Sequence, residues 1–300
     1  MRTVAVLVNP AAGGGRGAKV ARRAVARLRE RGLDVNELAG SDAHHAAALA
    51  RDAVSSADVL ATVGGDGMIS IALQALAGTD VPLGIVPAGS GNDHARAYGI
   101  PRHRPERAAD VIADGHTTTV DVGRIVAADG ETRYFGTVVA AGFDSLVNDR
   151  ANRMRRPRGR TRYNLAALAE LANLRPLPFR VEVDDDRFNQ ELLLAAIGNA
   201  PTYGGGMRIC PEADPADGLL DVTVVRAMPR WRVIRFFPTV YTGALVRHDE
   251  VELYRATSVR LDAPGIRAYA DGELVGPLPV EVSVVPGALR ILIPAVSPTR

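Results

Sequence analysis

Cysteine is nearly absent. Cys210 stands alone, so no intramolecular disulfide can form, and the expected setting is a reducing, cytoplasmic one with Cys210 as a small core residue. Lysine is as scarce: Lys19 is the only one, and the positive charge is almost entirely arginine. The net charge of +2 by itself says little about partners. No apolar run reaches the roughly 18 residues of a membrane span. The opening run Met1–Val8 is too short for a signal peptide and is broken by Asn9-Pro10. Aromatics make up only 5% of the chain, and none forms an interleaved platform for nucleic-acid bases. Repeats and low-complexity tracts are missing too. The expectation is a soluble cytoplasmic protein with no nucleic-acid partner, able to visit a membrane surface from outside.

What is present is organised around Asp58–Met68. Val59 to Val63 is an apolar, β-branched run that reads as a buried strand. It runs into Gly64-Gly65-Asp66-Gly67, and Ile69 to Leu76 follows at helical spacing. Glycines at a strand's carboxyl end let backbone approach a ligand, and a helix N-terminus offers free N–H groups to phosphate. Asp66 suits a metal ion or water beside a phosphate better than the phosphate itself. The same grammar recurs twice. Val4–Val8 leads through Asn9-Pro10-Ala11-Ala12-Gly13-Gly14-Gly15-Arg16-Gly17 into a helix over 18–31, and Leu83–Pro87 leads through Gly89-Ser90-Gly91-Asn92-Asp93 into His94-Ala95-Arg96. Three such turns predict one shared nucleotide-binding edge. His44 and His45, in a helix capped by Ser41-Asp42, lack metal-pair spacing and read as a solvated face.

From Thr117 onward short alternating strands dominate, the pattern of an antiparallel sandwich. The chain thus divides into a Rossmann-like α/β nucleotide-binding domain, 1–120, and a larger antiparallel β-sandwich domain, 121–300, whose C-terminal tail has room to pack back on the first. Seven arginines between Arg150 and Arg162 precede an apolar helical stretch, Tyr163–Leu174. That combination suits peripheral contact with an anionic membrane, the plain alternative being a solvated loop.

These residues, in this order, resemble the diacylglycerol kinase catalytic family of soluble bacterial lipid kinases, related to sphingosine and ceramide kinases. The resemblance spans almost the whole chain. It rests on the three glycine turns, Ala141-Gly142-Phe143-Asp144, Gly198-Asn199, Gly204-Gly205-Gly206-Met207, the stretch Pro211–Asp221 and Asp271-Gly272-Glu273. The GGDG turn is shared with NAD kinases and phosphofructokinases, whereas the GSGND, DGLLD and DGE elements are more specific. The resemblance implies ATP and Mg2+ as cofactors, an ATP site in the cleft between two domains, and γ-phosphate transfer to a lipid hydroxyl, first of all that of diacylglycerol. It implies Asp271 as general base with Glu273 as its partner, both carboxylates facing one cleft, although Asp-Gly is also a hairpin signal. Asp66 would hold magnesium. Asn9, Pro10, Gly13, Arg16, Gly64, Gly65, Gly67, Met68, Gly89, Ser90, Gly91, Asn92 and Asp93 would line the nucleotide, with Asn9 and Asn92 bonding ribose or phosphate. A second, structural magnesium would sit at Asp217, with Asp214, Leu219 and Asp221 as neighbouring candidates.

Two positions depart from the family pattern. Met68 replaces a threonine whose hydroxyl could donate to phosphate, and Gly14 replaces a lysine that Arg16 would have to substitute. The expectation is still an active kinase. The alternatives are a kinase for a sphingoid or other alcohol and a nucleotide- or lipid-binding regulator without turnover. Acyl preference and oligomeric state, including a homodimer through an exposed strand edge, are left open by the residues.

Overall fold

Continuous apolar runs become the central strands of a parallel sheet, because a strand covered on both faces exposes no side to water. In the computed structural model, which describes residues 2–154, 160–173 and 175–295, these are β1 (Thr3–Val8), β3 (Val59–Gly64) and β4 (Leu83–Pro87). They run parallel in the order β4-β3-β1-β2, with the half-exposed β2 (Asp34–Leu38) at the edge. The connections are a short glycine turn α1 (Ala12–Gly15), then α2 (Gly17–Glu30), α3 (Ala43–Val54), α4 (Asp66–Leu76), the short α5 (Asp93–Ala97) and α6 (Pro105–Asp114). α2 packs on α6 and α3 on α4. Right-handed crossovers place these pairs on opposite faces of the sheet. Asp42 caps α3 by accepting from His45 N at 2.8 Å, and both histidines lie exposed on that helix, as expected.

The second half is antiparallel. Its elements are β5 (Thr117–Val126), β6 (Thr132–Phe135), β7 (Val138–Gly142), α7 (Phe143–Arg153), α8 (Arg160–Ala172), β8 (Leu177–Val183), β9 (Asp186–Gly198), β10 (Leu220–Arg226), α9 (Arg230–Thr242), β11 (Val251–Ala256), β12 (Ser258–Asp262), β13 (Arg267–Ala270), β14 (Glu273–Pro277) and β15 (Val280–Leu292). The strands run β14-β13-β7-β9-β8-β12-β15, with β10 joining β9 to β11 and β5 joining β15 to β6. Phe135, Phe179, Ile197, Val222 and Leu261 fill the core of this β-sandwich. A smaller core under α9 holds Ile209, Cys210, Val233, Phe236 and Val240.

The halves meet inside strands rather than through a linker. Val120 and Val122 of β5 lie in the first core while Ile125 lies in the second. β15 runs along β5, and its end pairs parallel with β4 at Ile291↔Leu83. Of the arginine-rich segment Arg150–Arg162, residues 155–159 lie outside the described residues. Among the described residues no helix is long and apolar enough to cross a membrane.

Candidate active site

The three glycine turns stand side by side at the carboxyl ends of β1, β3 and β4. The second and third touch backbone to backbone. A Cβ on Gly89 would lie 2.4 Å from Gly65 Cα, and Gly64 O accepts from Ala88 N at 2.7 Å. The first turn leans on the third: a Cβ on Gly13 would lie 2.4 Å from Ala88 O, and Gly13 and Gly14 both take positive φ. No side chain caps α4; Met68 N and Ile69 N donate to Gly65 O, which leaves the N–H groups of Asp66 and Gly67 to meet an anion.

Several side chains assigned to the nucleotide turn out to hold the turns themselves. Asn9 Oδ1 accepts from Ala11 N at 3.0 Å, and Arg16 Nε donates to Gly13 O at 2.9 Å. Asn92, in the left-handed region at φ 54°, accepts from Gly89 N and donates to Gly89 O, both at 3.0 Å. Asn92 thus closes its turn with both amide atoms, whereas Asn9 closes its turn through the oxygen alone. Met68 turns inward. Its side chain is buried beneath Gly64, where a Cβ would meet it at 2.5 Å, so the residue fills core space behind the turn and does not face a phosphate. Pro10 and Ser90 are exposed on the open side, and Gly67 lies under Glu273, whose Oε1 would be 3.0 Å from a Cβ there.

The charged centre joins both halves. Asp66 opens α4, and its Oδ1 accepts from His94 N and pairs with His94 Nδ1, each at 3.2 Å. The other ring nitrogen, His94 Nε2, lies 3.4 Å from Asp271 Oδ2. Gly136 makes room for this ring, since a Cβ there would lie 2.7 Å from Nε2. Asp271 also accepts from Gly136 N at 2.9 Å, Thr137 N at 2.8 Å and Thr137 Oγ1 at 2.5 Å. The imidazole is thus a buried cation between two carboxylates. Burial pushes His94 down, but Asp271 and then Asp66 push it further up, to about 10. Burial pushes Asp271 up, yet the His94 charge beside it and the donors at 136–137 hold it below the usual carboxylate range. Asp66 is lowered in the same way, His94 outweighing burial.

Asp271 and Glu273 do not share a face. Asp271 at φ 50° and Gly272 at φ 83° form a two-residue hairpin turn between β13 and β14, and residues in such a turn escape strand alternation. The Asp271 side chain is wholly enclosed, whereas Glu273 is exposed above α4.

Asp93 supplies a third buried acid. Its Oδ2 accepts from Gly205 N at 2.6 Å, and its Oδ1 is buried with no hydrogen-bond partner. Burial raises its pKa. A Cβ on Gly91 would meet Asp66 Oδ2 at 2.9 Å and Asp93 Oδ2 at 3.3 Å, so both carboxylates border one glycine. Gly204, Gly205 and Gly206 all take positive φ, and this loop closes on the site from the sandwich half, with Arg96 lodged against Gly206.

The acids expected at a second magnesium make contacts within and beside their own loop. Asp217 accepts from Leu219 N at 3.0 Å and pairs with Arg255, while Asp214 accepts from Ala216 N at 3.1 Å. Among the described residues no group of three or more His, Cys, Asp or Glu is arranged to hold a metal. A hydrogen-bonded path nevertheless connects this loop to the centre. Gly218 N donates to Asp121 Oδ2 at 2.7 Å, and Asn199 Nδ2 donates to both Asp121 O at 3.0 Å and Gly136 O at 3.3 Å.

His94, Gly136 and Thr137 escape a sequence reading, because their partners are distant in the chain. The one available signal for His94 is a histidine placed directly after a glycine turn and an acid, next to small apolar residues.

Comparison with known proteins gives the following. The model of the diacylglycerol kinase catalytic domain matches residues 3–125, and that of the YegS C-terminal NAD kinase beta sandwich-like domain matches residues 137–293. A diacylglycerol kinase of Mycobacterium tuberculosis (strain CDC 1551 / Oshkosh) is 53% identical over 293 residues, covering 97% of this chain and 95% of that protein. A diacylglycerol kinase of Bacillus subtilis (strain 168) is 29% identical, covering 80% and 78%. Two solved structures share the fold. The crystal structure of a diacylglycerol kinase from Bacillus anthracis str. Sterne superposes with a TM-score of 0.73 at 19% identity, covering 98% and 97%. An NAD kinase from Archaeoglobus fulgidus in complex with ATP superposes with a TM-score of 0.54 at 12% identity, covering 97% and 93%.

Proposed function

Since the chain belongs to the diacylglycerol kinase catalytic family and is a lipid kinase by that membership, we propose that it transfers the γ-phosphate of ATP to the hydroxyl of diacylglycerol. The observation that carries this reading is the Asp66–His94–Asp271 bridge. It ties the glycine turns of one half to the β13–β14 hairpin of the other. Phosphoryl transfer asks a protein for positioning, charge neutralisation and a proton acceptor. The turns at 64–67 and 89–93, with the uncapped start of α4, supply backbone N–H groups for phosphate.

Magnesium fits this centre. The carboxylates of Asp66 and Asp93 both border Gly91 through Oδ2, and Asp93 Oδ1 makes no hydrogen bond and lies 3.6 Å from Arg96 Nε; such hard oxygen donors suit magnesium, which is commonly held by one or two carboxylates together with substrate phosphates. When bound it would neutralise charge on the nucleotide. His94 pins the other oxygen of Asp66 and so orients this carboxylate.

Asp271 is our proposed proton acceptor. At rest His94 and the donors at 136–137 hold its basicity down, while burial alone would raise it. A substrate hydroxyl that displaces His94 would leave Asp271 the stronger base. One observation favours a second reading: Asp271 is enclosed and Glu273 is exposed above α4, which makes Glu273 the acceptor reached without any movement. The test is transfer of labelled γ-phosphate from ATP with magnesium to a lipid panel of diacylglycerol, monoacylglycerol, sphingosine and ceramide. Labelled phosphatidic acid is the expected product. A product from another alcohol would replace the substrate, and none at all with ATP still bound would favour a regulator.

A further inference from the structure

A helix at a protein surface ordinarily shows one apolar stripe and turns it inward. α9 shows two. Val233, Phe236 and Val240 pack inward. On its outer side Trp231 and Ile234 are each 60% exposed, with Phe237 and Tyr241 exposed beside them and touching edge to face at 5.8 Å between ring centres. The arginines of this region are exposed as well: Arg230, Arg235 and, just beyond the helix, Arg247. Between Val222 and His248 the sequence contains no acidic residue. α8, which sends Leu171 into the same small core, adds exposed Leu165 and Leu168.

We propose that the outer face of α9 is the surface by which this protein lies on an anionic lipid bilayer. Three features choose a membrane over another occupant. Trp and Tyr on one face of an amphipathic helix match the interface between headgroups and acyl chains. Arg230, Arg235 and Arg247 match anionic headgroups, each adding attraction that salt weakens, whereas Arg232 of the same helix is paired with Glu250. The helix is also joined to the candidate active site: Arg208 N donates to Val240 O at 2.8 Å, and three residues earlier Gly205 N holds Asp93. A bilayer under α9 would therefore lie next to the loop that closes on the phosphate centre. The inference rests on the lipid-kinase reading for its purpose, but it is tested separately from turnover.

Trp231 is the only tryptophan, so its fluorescence reports this face alone. The full chain is titrated with phosphatidylcholine vesicles with and without phosphatidylglycerol, and with acyl chains brominated near the headgroup. Expected are a blue shift and bromine quenching with the anionic vesicles, both weakened by salt. Ile234→Glu combined with Phe237→Glu should lower vesicle partitioning by about tenfold or more, while phosphorylation of a dispersed short-chain diacylglycerol stays unchanged. No Trp231 response, with that phosphorylation intact, overturns the docking assignment alone. A Trp231 response without phosphorylation of any lipid keeps the docking face and overturns the kinase reading. A concentration-dependent dimer abolished by the same double variant, with no vesicle response, assigns the face to a second copy and overturns the membrane proposal.

Discussion

The molecule holds two groups of acids joined by one hydrogen-bonded path, and they solve the problem of crowded negative charge in opposite ways. At the centre, Asp66 and Asp271 are buried and share the His94 cation, so both are held below the usual carboxylate range. In the loop at 212–221, Asp221 is pushed up to about 6, by burial and then by the carboxylates of Asp217, Glu212 and Asp214, against the pull of Arg255. The first arrangement is stabilised by its charges at neutral pH and the second is strained by them. Burial alone does not mark a functional acid. The contrast lies in where the cation sits: His94 is buried between its two acids, whereas the half-exposed Arg255 faces Asp217 and Asp221 from the surface.

The largest test of that contrast is Asp271→Asn, which should reduce phosphoryl transfer by about a thousandfold, whereas Asp221→Asn should leave the rate within a factor of about two. Steady-state kinetics on both variants decides it, and comparable losses would erase the distinction. Next is His94→Gln. Removing the shared cation leaves two buried carboxylates uncompensated and should destabilise the fold by about 3–5 kcal/mol, read from urea unfolding at pH 7. The pH profile carries the sign. The His94 pKa is raised, so its contribution is complete below the ordinary histidine range and is lost as pH rises toward about 10. The carboxylate contributions are present above the ordinary carboxylate range and are lost in acid. Wild-type stability should hold between those limits and fall on both sides, and His94→Gln should flatten the alkaline fall.

Smaller effects sharpen the same comparison. Gly91→Ala places a methyl 2.9 Å from Asp66 Oδ2 and 3.3 Å from Asp93 Oδ2. It should raise the magnesium concentration needed for half-maximal activity by about tenfold, roughly 1.4 kcal/mol, with the fold intact by circular dichroism. An unchanged magnesium requirement would remove those two carboxylates from the metal. The smallest shift is expected from Asp221→Asn. The raised acid costs the fold nothing while it is protonated in both states, and the penalty grows as pH rises from the ordinary carboxylate range to about 6, above which it is complete. Neutralising it should stabilise by under about 1 kcal/mol at pH 8 and by nothing at pH 4, measured by thermal unfolding.

Much of the fold was legible because its signals are local. The apolar run 59–64 followed by helical spacing gave β3 and α4, and the alternation after Thr117 gave the sandwich. The acid positions Asp66, Asp93 and Asp271 were legible through family motifs. Their arrangement was not, because His94 meets Asp271 across 177 positions of chain, and no periodicity encodes that. The turn-closing bonds of Asn9 and Asn92 were not legible for a related reason: an amide that can bind a ligand can equally close its own turn. Met68 replaces a polar residue in the family pattern, and only its burial against Gly64 explains why an apolar side chain is accepted there.

The pairing of β15 with β4 bears on how the chain acquires its shape during synthesis. The first half contains all three glycine turns by residue 93, yet its sheet keeps an open edge at β4 until residues near Ile291 arrive. A ribosome-bound chain carrying only the first half would present that edge to other chains, which is the condition under which strands pair wrongly. The nucleotide side is therefore translated first but completed last, and folding of the two halves is tied to a single late event with large sequence separation.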